Sequence, residues 1–144
     1  MRIIERLTLG LLFLFCFVVA GCSLPSLEKP QCTAARDTVK RFYSLHFADD
    51  MRPSAQNIKA SQPFVTPVLF QGLSVSNETA KDYFTQTDDY PKAFRVGTCT
   101  SDSDDKAVLQ VVLLWRDDKR TEQKEVHVET VRVGDKWLIN SVSN

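Results

Sequence analysis

Nine consecutive residues restrict this chain more than any others. In Ala107-Val108-Leu109-Gln110-Val111-Val112-Leu113-Leu114-Trp115 every odd position is apolar, and the two-residue period of a β-strand puts those five side chains on one face. The even positions Val108, Gln110, Val112 and Leu114, followed by Arg116, are mixed. One face therefore packs on a core and the other is partly wetted, which is the pattern of a central strand. Such a strand needs neighbours on both edges and helices over its apolar face.

The neighbours follow from the same period. Ala93 opens a strand in which Phe94, Val96 and Thr98 alternate with Arg95, Gly97 and Cys99. Ser101-Asp102-Ser103-Asp104-Asp105 and Asp117-Asp118-Lys119-Arg120 read as polar turns. Neither acidic run has the length or the closing glutamate of a calcium loop. From Glu122 a third strand carries Val126, Val128 and Thr130 on one face, with Val131 and Val133 on the other. Gly134-Asp135 makes a two-residue hairpin, pairing Val133 with Lys136 and Val131 with Leu138. In that register Val131, Val133, Leu138 and Val142 gather on the outer face, an apolar patch of the kind that marks contact surfaces. A bulge near Glu129 would instead turn Val131 and Val133 inward. Glu125, His127 and Glu129 alternate onto one strand face and could in principle hold a divalent ion; a solvated polar face is the preferred reading, and no metal or cofactor is expected.

The helices lie upstream. Ala35, Val39, Phe42 and His46 have helical spacing, widened by Tyr43 and Phe47, which predicts a helix from about Ala34 to Ala48 with Thr33 as N-cap. Residues 49–62 read as loop with a weak helical turn. Thr66-Pro67 reads as a cap and first helical position, and Gly72 as the left-handed C-terminal residue. A third helix is expected after Ser76, with Ala80, Tyr83 and Phe84 on one side. It stops before Tyr90-Pro91, since the residue before proline avoids helical angles.

The first 21 residues have the form of a leader. Arg2 and Arg6 precede the apolar run from Leu7 to Ala20, too short for a comfortable membrane span and right for a signal peptide. Val19-Ala20-Gly21-Cys22 resembles the lipobox of bacterial lipoproteins, which implies cleavage before Cys22, a thioether-linked lipid on its sulfur, and 22–32 as tether. By resemblance to sorted lipoproteins, Ser23 implies the outer membrane, with the domain facing the periplasm. Cys16 would leave with the leader. Cys32 and Cys99 remain as a possible disulfide in an exported chain, or as two unpaired buried thiols. Charge is balanced at 18 basic and 18 acidic residues, without the basic stripe that nucleic acid demands.

The fold class expected for 33–144 is thus α+β: about three helices packed on a curled four-stranded antiparallel sheet. That order resembles the cystatin-like cone of the nuclear-transport-factor-2-like superfamily. Val39-Lys40-Arg41-Phe42-Tyr43, Asp82-Tyr83-Phe84-Thr85, the run Ala107–Trp115 and Gly134-Asp135-Lys136-Trp137-Leu138-Ile139 resemble a domain of unknown function in enterobacterial lipoproteins of the YbjP/YqhG type. The likeness covers about Cys32 to Asn144 and implies a fold rather than an activity. Cone-fold enzymes place an Asp, Tyr or His between helices and sheet. Here Tyr43 and His46 are nearest, no acid stands on a core-facing strand position, and no catalytic residue is expected. The expected role is a membrane-anchored, non-catalytic interaction module docking another envelope protein or a second copy. The alternative is a binder of a small apolar ligand in the cone pocket.

Overall fold

The computed structural model describes residues 27–144 except 49, 76–80 and 119. The leader, Cys16, the lipidation position Cys22 and the first part of the tether lie outside the described residues. Three helices, α1 (Pro30–Ala48), α2 (Ala55–Ser61) and α3 (Pro67–Val75), precede four strands, β1 (Ala93–Ser103), β2 (Lys106–Arg116), β3 (Thr121–Val133) and β4 (Lys136–Ser143). The strands form one antiparallel sheet in chain order, curled and open. The class is α+β.

Helix α1 starts at Pro30, earlier than Thr33 as cap would allow. Proline suits the first helical turn because its missing N–H would have no partner there, and Thr33 N–H closes the turn onto Lys29 O at 3.1 Å. Cys32, Ala35, Val39, Phe42 and Tyr43 form its buried stripe. That stripe packs on Leu109, Val111, Leu113, Val126, Val128 and Ile139, each such side chain contributing about 1.5–3 kcal/mol on burial. All five odd positions of β2, from Ala107 to Trp115, are buried.

Two expectations upstream need correcting. The segment read as loop contains α2, capped by Ser54, whose hydroxyl accepts from Asn57 N–H. Thr66 and Pro67 do start α3, with Leu69 N–H reaching Thr66 Oγ1 at 3.3 Å. The helix then runs through Gly72 to Val75, because Leu73 still has core to cover. The helix expected after Ser76 is absent over residues 81–90, where the chain turns back on itself through an isolated bridge between Asp82 and Thr87.

Phe64 to Thr66 runs beside β4, with Ile139 N–H donating to Phe64 O at 2.8 Å and Thr66 N–H to Ile139 O at 2.9 Å. On the far side, β1 is broken by two register shifts, after Val96 and after Thr100. The first lies at Gly97, where a Cβ would come 2.8 Å from Gln110 Oε1. Arg36 Nη1 donates to the carbonyls of Val96 and Gly97 at 3.2 and 2.6 Å, and Lys29 Nζ to that of Ser101 at 2.6 Å. The shift also brings Cys99 toward α1, and a disulfide joins it to Cys32 with the Cα atoms 5.8 Å apart.

The sheet's irregular residue next to β3 is on β4. Glu129 pairs with Ser141 and Thr130 with Ile139, which leaves Asn140 opposite no residue. β3 itself alternates without interruption against β2. Val126, Val128 and Thr130 are buried while Val133 is 51% exposed, and Val131 and Leu138 share its outer face. Val142 departs from the expected patch. The extra Asn140 reverses the alternation of β4, so Val142 faces inward beside Val128 and is buried in the core.

Candidate functional site

The turn at 81–89 is organised by Asp82. Its backbone N–H donates to Thr87 O and its carbonyl accepts from Gln86 N–H, both at 2.8 Å. Oδ2 accepts from Thr85 N–H at 2.9 Å, the Asp-x-x-Thr geometry in which a short carboxylate substitutes for a backbone acceptor. Thr85 and Thr87 hydroxyls are 2.9 Å apart, and Thr87 Oγ1 donates to Asp89 O at 2.8 Å.

Helix α1 holds this turn by two side chains. His46 Nε2 lies 2.9 Å from Asp82 Oδ2, with side-chain exposures of only 9% and 5%. The imidazole stacks on Phe42 at 5.5 Å and meets Phe84 edge-on at 5.3 Å. Tyr43 OH donates to Phe84 O at 2.7 Å. Complete burial, and then the charge of Asp82, push the Tyr43 phenol well above its ordinary range, which keeps it a donor. The sheet and its β2–β3 turn add three more ties. Val142 N–H donates to Tyr83 OH at 3.3 Å, Lys124 Nζ to Gln86 O at 2.9 Å, and Arg120 Nη2 to Asp89 Oδ2 at 2.5 Å. Arg120 also lies over the Trp115 ring, 5.3 Å from its centroid.

Beside the turn is a cavity of about 560 Å³, lined from α1, α2, α3 and the turn by residues that include His46, Arg52, Ile58, Leu73, Asp82 and Phe84. Among the described residues lining it, none belongs to the sheet. The space between the middle of α1 and the sheet is filled by the core, and a separate hollow of about 520 Å³ lies between the start of α1 and the sheet, lined by Pro30, Ala34, Arg132 and Trp137 among others. Gln86, in the lining, and Met51, the residue before Arg52, have left-handed backbone without being glycine, at φ 55° and 49°. Such conformations cost of order 1–3 kcal/mol each and gather at ligand sites.

The two residues nearest to an enzyme reading, Tyr43 and His46, are therefore brought together, along with an aspartate that sequence reasoning missed. A histidine oriented by a carboxylate can relay a proton, yet both groups here are engaged in holding the turn. The Asp-x-x-Thr spacing could have suggested a capped turn at Asp82; its partner, 36 residues upstream, has no local signal. On the outer sheet face Glu129 is bonded by Lys106 and Asn140. These contacts, Lys106 first, hold its carboxyl below the usual range. Among the described residues, the one set of three donor atoms within 4.8 Å of one another is Glu28, Cys32 and Cys99, of which the cysteines are joined to each other.

No family model matches the chain, and no curated protein matches it.

Proposed function

We propose that this chain is a lipoprotein anchored in the outer membrane by lipid on Cys22, with a cone-type domain of the nuclear-transport-factor-2-like kind facing the periplasm. The domain works as a non-catalytic accessory module that docks another envelope protein or a second copy of itself. The observation that supports docking is the outer row Val131, Val133 and Leu138, with Val133 half exposed on a regularly paired hairpin. Apolar side chains at such positions contribute little to folding and are available to a partner. The non-catalytic reading is supported by the structural employment of His46, Asp82 and Tyr43 in one turn.

Tagged lipoprotein recovered from cross-linked envelopes tests the docking. Val133→Asp should reduce the recovered partner or dimer while changing stability by no more than about 0.5 kcal/mol, as for an ordinary surface site. A large loss of stability, or undiminished recovery, counts against the face. Mass spectrometry of the mature N-terminus tests the anchor, and an unmodified Cys22 or a retained Met1 would remove it. A second reading, binding of a small ligand, is favoured by the 560 Å³ cavity, a volume within the roughly 300–1,000 Å³ of ligand pockets.

A further inference from the structure

We infer that the cavity between the three helices and the 81–89 turn takes a single-chain anionic amphiphile, an acyl chain bearing one carboxylate or phosphate. This rests on the ligand-binding reading and gives it a chemical class. The wall is mostly apolar, with Pro53, Ile58, Leu73, Tyr83 and Phe84 beside the His46–Asp82 pair. Arg52 and Lys81 line it too, and both are exposed, so the cationic groups stand where the cavity meets solvent. An apolar interior with cations at the rim matches a ligand with an apolar chain and an anionic end. The chain leaves water on entering, and the head keeps its hydration and gains charge-assisted hydrogen bonds.

Asp82, the one carboxylate among the described lining residues, argues for the same orientation. Asp82 is buried and its Oδ2 already accepts from His46 and Thr85. A second negative charge beside it would lose solvation without gaining a partner. The head is therefore excluded from that end and held at the rim. Size agrees: at about 30 Å³ per water the space equals roughly nineteen waters, suited to a chain of medium length. The left-handed residues Met51 and Gln86 are a separate sign of a built site. Gln86 is itself part of the lining, and Met51 directly precedes the lining residue Arg52.

Two sources share this chemistry, free fatty acids and lysophospholipids, and one experiment separates them. The full-length protein in membrane vesicles is photolabelled with a diazirine-bearing dodecanoate, and adducts are mapped by mass spectrometry. Saturable adducts are expected on Ile58, Leu73, Tyr83 or Phe84. Dodecanoate should compete at least tenfold better than dodecanol, which has the chain without the charge. If a twelve-carbon lysophosphatidylglycerol competes better still, the ligand class is the lysolipid; if it does not compete, the class is the free acid. Arg52→Gln with Lys81→Gln should cut labelling about tenfold, the equivalent of one charge-assisted contact, with an unchanged melting temperature. Cavity adducts displaced equally by dodecanol and untouched by the double variant would overturn the anionic inference and leave an apolar-ligand site. Absence of saturable cavity adducts would overturn both.

Discussion

β2 and β3 pair from Lys106↔Val131 to Arg116↔Thr121 without a shift, and every second side chain of β2 from Ala107 to Trp115 and of β3 from Val126 to Thr130 is buried. Between residues 81 and 89 order comes from elsewhere. There the backbone is held by Asp82, Thr85 and Thr87 acting on their own main chain, and by His46, Tyr43, Lys124 and Arg120 reaching from other elements. The sheet is a repeating structure whose stability is distributed over many equivalent apolar contacts. The turn is a non-repeating one that depends on a handful of directional bonds. Removing one member should therefore be felt globally in the first region and locally in the second.

Trp115→Ala should have the largest effect, about 3–5 kcal/mol of global stability, because it empties a large site at the end of the β2 core face. Denaturant unfolding followed by circular dichroism measures it. A variant that keeps its stability would place Trp115 outside the core. Next, removing the Cys32–Cys99 disulfide with a double serine variant should cost about 4 kcal/mol in the chain-entropy estimate, less any strain relieved. Its loop of sequence separation 67 encloses α2, α3 and the turn. Hydrogen exchange should accordingly rise more in those segments than in β2 and β3, and an equal rise would erase the distinction between the regions.

His46→Ala should follow at about 1–3 kcal/mol, since Asp82 is left buried without its ring partner. The amides of Thr85 and Gln86 should exchange faster while those of Leu109, Val111 and Val126 keep their protection. Loss of protection in the strands as well would mean that the turn and sheet unfold as one unit. The smallest effect is at Glu129. Its carboxyl is held low by Lys106 and Asn140, so its contribution is complete above the unfolded value of about 4.3 and fades as pH falls through the lower folded one. The stability difference between the native chain and Glu129→Gln should stay constant above about pH 5 and shrink below pH 4, amounting to under about 1 kcal/mol. A difference that persists into acid would point to packing rather than charge.

The same contrast explains what could be read from the residues. The period of two in β2 and β3 places Trp115, Val126 and Val128 correctly, and the Gly134-Asp135 turn sets the hairpin register, with Gly134 at φ 60°. Val142 was misplaced because one unpaired residue, Asn140, reverses the pattern, and a polar residue in a strand does not announce a bulge. Ala80, Tyr83 and Phe84 imitate helical spacing, but Tyr83 and Phe84 face the interior from a turn whose bonds run to residues 31 to 59 positions distant. Local periodicity carries no record of such partners. The cavity was illegible for the same reason, since its walls come from four separate segments.

The two borders of the sheet have a consequence for how such a domain behaves at high density. A population tethered to a membrane, as proposed here, is confined to two dimensions, where neighbouring copies meet continually and open strand borders invite linear growth from copy to copy. On one side Phe64 to Thr66 already occupies the hydrogen-bonding line of β4. On the other, two bulges distort β1 and the side chains of Arg36 and Lys29 take three of its carbonyls. Lateral copying of the backbone is thereby discouraged at both limits of the sheet. Recognition is left to side chains, which can be selective, rather than to main-chain groups, which every protein shares.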